Sequence, residues 1–300
     1  MKVFIIKIVR YCLIVFVLIN VISWASLYFL RNSSFYKPEF LTHEIKDKNF
    51  DYIVIGSSIG LTSVDTKCID SMNTVKGINL SIDDTSTSSS FLMLDHFYHQ
   101  GGKSKYCILS LSSWDLAETN PRLNNNDYRF LPFVTNDYVH DYYKSMEDGL
   151  FKPLTYSYYL PFLGVSYYNT EVFYPSIVAA IQPNKHNRFD DKGNYCYPPT
   201  STFKKFSPKE VILQWKNPFL NKIKALCLAH HTQLIVYQAP VIETRIINTN
   251  KSYNFINHSA LLKGTKGFYD EVHLDVNGRQ VASIALAKEL KKDYFIKNGQ

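Results

Sequence analysis

Residues 51–60 read "DYIVIGSSIG". A strand with one wet face alternates polar and apolar residues, whereas Tyr52 to Ile55 run without a break. That predicts a strand covered on both faces, as in a parallel sheet. The run stops at Gly56 and hands over to Ser57 and Ser58. These serines either cap a following helix or present a hydroxyl at the carboxyl edge of the sheet, where open parallel sheets gather their sites.

Working outward, "VKGINLSI" at 75–82, "KYCILSLSSWDL" at 105–116 and "TQLIVYQAPV" at 232–241 repeat the strand pattern. "STSSSFLMLDHFYHQGGK" at 86–103 is long enough for a crossover helix, which gives βαβ spacing. "SPKEVILQWKNPFLNKIKALCLAHH" at 207–231 has helical spacing, with Pro218 starting a new segment or kinking it. "VNGRQVASIALAKELKKDYF" at 276–295 reads as an amphipathic closing helix. Strands alternating with helices predict an α/β sandwich with a mostly parallel sheet.

Before this domain, "YCLIVFVLINVISWASLYFL" at 11–30 carries no charge over a length that crosses a bilayer core. A cleaved signal peptide would have a shorter apolar region ending in small residues, so the segment reads as an uncleaved anchor. Lys2, Lys7 and Arg10 precede it, against Arg31 and Lys37 after it, which predicts a cytoplasmic N-terminus at 1–10 and an exported remainder. Residues 31–50, polar with one proline, read as a stalk. Residues 51–295 form the domain, with a Tyr-, Asn- and Pro-rich insertion at about 117–210.

The 300 residues are 46% hydrophobic, 20% charged and 15% aromatic, a globular composition. Of the formal charge of +7, three units precede the span, so the exported part carries +4 without a basic stripe, and nucleic acid is not an expected partner. No phosphate-binding glycine pattern and no His/Cys cluster with ligand spacing appears, so no cofactor and no metal are expected. Cys68, Cys107, Cys196 and Cys227 allow three full pairings or none. The aromatic insertion is either packing or a groove that stacks on sugar rings, and "RFDDKGNYCYPP" at 188–199 reads as a tight turn.

A serine hydroxyl is a poor nucleophile until a base takes its proton, and that base needs an orienting group. "GFYDEVHLDVNGRQVA" at 267–282 supplies Asp270 and His273, close enough for the carboxylate to hold one ring nitrogen while the other faces away. Ser58, Asp270 and His273 are therefore the candidate catalytic residues.

"VIGSSIG" and "YDEVHLDVNG" together resemble the first and last blocks of the SGNH, or GDSL-type, esterase and acyltransferase superfamily. The similarity is to its membrane-anchored branch, which includes alginate O-acetyltransferases and the D-alanyl transfer proteins of teichoic acid synthesis. The resemblance implies a three-layer, flavodoxin-like sandwich. It puts the nucleophile at Ser58, with Ser57 where the family has Asp, and aligns the family's Asp-x-x-His with Asp270 and His273. It also implies an oxyanion hole, for which Ser81 occupies the position of the second-block glycine. "LSLSSWDL" replaces the third-block Asn pattern, leaving Ser112, Ser113 or Asn79 as further donors.

The expected function is an extracytoplasmic serine esterase or O-acyltransferase, moving an acyl group that is most simply acetyl on a cell-surface glycan, beside a polytopic acyl-transfer partner. The alternative is a non-catalytic glycan-binding or accessory subunit of such a machine.

Overall fold

The computed structural model describes residues 1–199 and 206–295. The chain forms two compact units, Met1–Lys46 with Asp127–Asn187, and Asp47–Asn126 with Arg188 onward.

The second unit carries the sheet. Seven strands occur among the described residues: β1 (Asn49–Gly56), β2 (Gly77–Asn79), β3 (Lys103–Ser110), β4 (Lys209–Ile212), β5 (Gln233–Gln238), β6 (Thr244–Ile247) and β7 (Asn254–Asn257). Five join in the order β2-β1-β3-β5-β7, each neighbouring pair parallel, and β4 pairs in parallel with β6 in a sheet of two. The unit is therefore α/β with a parallel central sheet. Because β2 lies on one side of β1 and β3 on the other, the chain reverses its direction of winding there. In open parallel sheets the carboxyl end of the strand at such a reversal is where ligand crevices form.

The apolar run of β1 is buried as its composition demands, with Tyr52, Ile53, Val54 and Ile55 all inaccessible. Tyr52 and Val54 join Tyr106, Ile108, Ile235 and Tyr237 in one cluster, with Ile69 of the helix Thr66–Asn73 and Leu286 and Leu290 of the closing helix Val276–Leu290. The expected crossover forms the helix Thr87–His99, which packs against β1, while the helix Pro218–Ala229 packs against β5.

Three sequence expectations are corrected. Residues 207–231 are not helical throughout: Lys209–Ile212 form a strand, whose β-branched Val211 and Ile212 pair with Ile246 and Ile247. Helix starts only at Pro218, capped by Asn217, whose side-chain oxygen accepts from the Phe219 N–H at 3.0 Å.

Residues 31–50 are not a stalk. Ser33 to Leu41 are buried, because Phe35, Tyr36, Phe40 and Leu41 bring apolar surface to a segment otherwise polar. Its backbone and side chains find partners too: the Ser34 N–H donates to Pro183 O, the Asn187 N–H donates to Phe35 O, and His186 meets Glu44 at 2.7 Å.

The segment 117–210 is not one insertion within one domain. Residues 127–187 group with the N-terminal helix as the first unit, residues from 188 return to the sheet unit, and 200–205 lie outside the described residues.

The first unit is helical. Its longest element, Lys2–Arg31, includes a window of mean hydropathy 2.4 and is long and apolar enough to cross a membrane. All five cysteines are free thiols, with Cys107 and Cys227 buried.

Candidate active site

Ser57 and Ser58 divide the two roles that the sequence leaves open. Ser57 is the cap of the helix Ser58–Ser63 and is buried, its hydroxyl accepting from the Ile59 N–H at 3.4 Å. Ser58, the first helical residue, is partly exposed. The turn that presents it depends on Gly56: a Cβ there would lie 1.9 Å from the carbonyl oxygen of Ser110 at the end of β3. No side chain fits against that backbone, so β1 and β3 close together beneath the serine.

Asp270 and His273 sit at the tip of a tight turn whose base is the antiparallel bridge between Phe268 and Leu274. The Tyr269 N–H donates to the His273 carbonyl at 2.8 Å. One oxygen of Asp270 accepts from the N–H groups of Val272 and His273, at 2.9 and 2.8 Å. The other lies 2.7 Å from His273 Nδ1. A single carboxylate thus shapes the turn and fixes the ring, which is the physical content of the three-residue spacing. Burial pushes the Asp270 carboxyl up. Hydrogen bonds from the His273 ring and from the two backbone N–H groups outweigh that and hold it below the usual range.

His273 Nε2 lies 2.8 Å from Ser58 Oγ, across 215 residues of sequence. With Nδ1 carrying its proton toward Asp270, Nε2 is free to accept the proton of Ser58, a tautomer assigned from the hydrogen-bond pattern. The early and late parts of the sheet unit are tied beside the site. Arg279 of the closing helix pairs with Asp65 at 3.2 Å, and the Ser283 hydroxyl accepts from the Asp65 N–H at 2.8 Å. Asp275 caps the closing helix, accepting from the N–H groups of Asn277 and Gly278. Gly278 lets the loop settle on that helix, since a Cβ there would lie 1.9 Å from Gly267 O.

Most of the expected oxyanion donors are engaged elsewhere, while the Ser81 hydroxyl is buried without a hydrogen-bond partner. The Ser81 N–H donates to the side-chain oxygen of Asn79 at 3.0 Å. The amide of Asn79 donates in turn to the carbonyls of Gly60, within the serine helix, and Val64, at its end. Ser112 caps the helix Ser113–Ala117 in a reciprocal box with Asp115, which occupies its hydroxyl and its N–H. Each is a bonded neighbour of the site. Sequence shows donor types near strand ends but not which acceptors the fold brings to them.

Aromatic rings that the sequence reading did not single out flank the histidine. Tyr197 stacks on Tyr269 with centroids 4.1 Å apart and lies 5.5 Å from the His273 ring. Tyr195 meets Tyr197 edge-on. Burial pushes the Tyr197 phenol up, helped by Tyr195, Asp270 and Asp83 and opposed by Arg188. The signal available was "NYCYPP", whose two tyrosines share a strand-like spacing and whose backbone bridges to Asp275 through Tyr197.

A partly exposed hydroxyl, an imidazole and a carboxylate in line can deliver an alkoxide to an electrophilic carbonyl. Among the described residues no group of three or more His, Cys, Asp or Glu is arranged to hold a metal ion. No protein-family model matches the chain, and no curated protein matches it. The class of chemistry therefore rests on the geometry of Ser58, His273 and Asp270.

Proposed function

We propose that the protein is a membrane-anchored, extracytoplasmic serine esterase or O-acyltransferase of the SGNH type, acting on an acylated cell-surface glycan. The observation that carries this reading is the line Ser58–His273–Asp270, with its 2.8 and 2.7 Å links. The strand order, equivalent to the flavodoxin-like order, and the position of Ser58 just beyond β1 at the switch point support the three-layer sandwich of that superfamily.

In the proposed reaction His273 Nε2 takes the Ser58 proton as Oγ bonds to the acyl carbon. The tetrahedral intermediate collapses as the C–O bond to the leaving alcohol breaks, and the imidazolium returns the proton to that alcohol oxygen. Asp270 stays ionised and stabilises the charged ring. Water or a sugar hydroxyl then gives its proton to His273 and attacks the acyl carbon; as the bond to Ser58 Oγ breaks the imidazolium returns that proton to Oγ, and acid or a new ester is released. Tyr269, 37% exposed, offers an apolar ring face where a sugar would approach. The Ser58 N–H is the proposed oxyanion donor, and Ser81 is withdrawn from that role because its N–H is bonded to Asn79. An anchored enzyme meets a membrane-bound acyl donor at high effective concentration, which favours transfer over hydrolysis. The proposed orientation leaves Lys2, Lys7 and Arg10 in the cytoplasm.

The engagement of the Ser81 N–H, Asn79 and Ser112 favours a second reading, an accessory subunit that binds glycan or a polytopic partner without catalysis. Fluorophosphonate labelling of the full chain separates the two. Adduct mass on Ser58, lost in Ser58→Ala and in His273→Ala, is the expected result. Absence of labelling in a folded wild-type chain rejects the enzyme reading.

A further inference from the structure

The first unit carries an apolar surface that the proposed chemistry does not use. Between 153 and 181 the only charged side chain is Glu171, and six tyrosines are present. Its helices Phe162–Tyr167 and Asn169–Ile181 pack along the helix Lys2–Arg31. The contact reaches far down that helix, because the Phe16 and Phe162 rings meet edge-on at 5.6 Å.

From Phe16 to Leu30 the helix rises about 21 Å, against a hydrocarbon core of about 30 Å. If residues 11–30 span the core, Phe162 is therefore at hydrocarbon depth. On the side away from the anchor, Phe173, Tyr174, Ile177 and Ile181 form a helical stripe 41%, 65%, 45% and 73% exposed. Tyr159 is 71% exposed. A groove of about 630 Å³ runs beside Phe16, Asn20, Trp24 and Tyr28 of the anchor, with Leu131 and Tyr159 on its other wall.

A soluble surface rarely carries such a patch. Thirteen residues of helix span about 20 Å, too short to cross a bilayer but suited to lying within one leaflet. Tyrosines collect where apolar and hydrated zones meet.

We propose that residues 150–181 form a membrane-inserted collar on the anchor, with phospholipid covering the stripe and filling the groove. Continuity with the anchor selects lipid as the occupant: the groove is walled by Phe16, Asn20, Trp24 and Tyr28 of the anchor itself, and the stripe lies on a helix packed against it. The anchor is then half sheathed in protein, and the first unit is held at a fixed depth and rotation. This inference needs the anchor to span the membrane but does not rest on the catalytic reading.

The test places a benzophenone amino acid at Tyr174, at Ile181 or at Tyr159 of the full chain. Lys144, exposed on the polar helix Asp137–Met146 of the same unit, is the control position. The purified chains are reconstituted in vesicles of phosphatidylethanolamine and phosphatidylglycerol, irradiated and weighed intact. The proposal expects adducts of phospholipid mass at the three positions, about five-fold or more above the control. Lipid yields no higher than at Lys144 overturn it. Adducts of dimer mass assign the face to a second copy and overturn it equally.

Discussion

The sheet unit contains two histidine–carboxylate pairs with nearly the same contact distance. His273 meets Asp270 at 2.7 Å and His258 meets Glu289 at 2.8 Å, with both imidazoles largely buried. They differ in which nitrogen is held. Asp270 takes Nδ1, on the backbone side of the ring, and leaves the outer Nε2 pointing at Ser58. Glu289 takes Nε2 and leaves Nδ1 buried without a hydrogen-bond partner, while Tyr237 packs edge-on to the ring at 5.4 Å. A histidine–carboxylate pair is thus not a site in itself. In the proposed site the carboxylate occupies the inner nitrogen and the outer one meets a hydroxyl at a sheet edge.

The sharpest way to break this contrast is to remove the reacting groups. Ser58→Ala and His273→Ala should each lower acyl-enzyme formation on the order of 10⁶-fold, while His258→Ala leaves it within about two-fold; burst kinetics with a nitrophenyl ester would read both. Equal losses at the two histidines would erase the distinction.

Next in size is the orienting carboxylate. Asp270→Asn should reduce the rate on the order of 10⁴-fold with the ester KM little changed, since the ring loses the partner that fixes its tautomer. Glu289→Gln should act on stability instead, seen as a lower denaturation midpoint at unchanged rate.

Gly56→Ala tests the turn that brings the hydroxyl to the ring. A Cβ 1.9 Å from Ser110 O must displace backbone, so urea unfolding should show a loss of about 3 kcal/mol and labelling of Ser58 should slow. Retention of both would mean that the approach of β1 and β3 does not position the serine.

The smallest expected effects concern pH. Asp270, held below 3.8, contributes stability that is present above its unfolded value and lost as pH falls through the lowered one. Asp115 runs the other way. Burial raises it from 3.8 to about 6, against the hydrogen bonds from Ser112. The unfolded chain releases this proton first, so stability falls as pH rises from 3.8 to about 6 and is level above. Asp115→Asn should flatten that fall by a few degrees in Tm, and Asp270→Asn should weaken the low-pH limb; thermal melts from pH 3 to 8 would show whether the two windows separate.

Much of the sheet was legible because apolar runs such as "YIVIG" and "QLIVYQ" have few other places to go than a covered strand. β7, with "NFIN", was not, since four residues with two asparagines carry too little apolar signal to stand out from loop. The strand Lys209–Ile212 was obscured because a short β-branched run beside a true helix fits either period. The polar reading of 31–50 failed because burial there depends on Pro183, His186 and Asn187, more than a hundred residues away.

By itself the sequence determined what short-range chemistry dictates: the parallel character of the sheet, the apolar helix, serines at the end of β1, and the turn in which Asp270 reaches His273. Only the tertiary structure decided which hydroxyl meets the outer nitrogen of that histidine, which histidine is merely packed, and that the Ser81 N–H, Asn79 and Ser112 are bonded away from the Ser58 hydroxyl. The reason is range. Periodicity and capping act over a few residues and can be read along the chain, whereas the partner of a buried polar group is whatever the folded chain delivers to it, here across 215 residues.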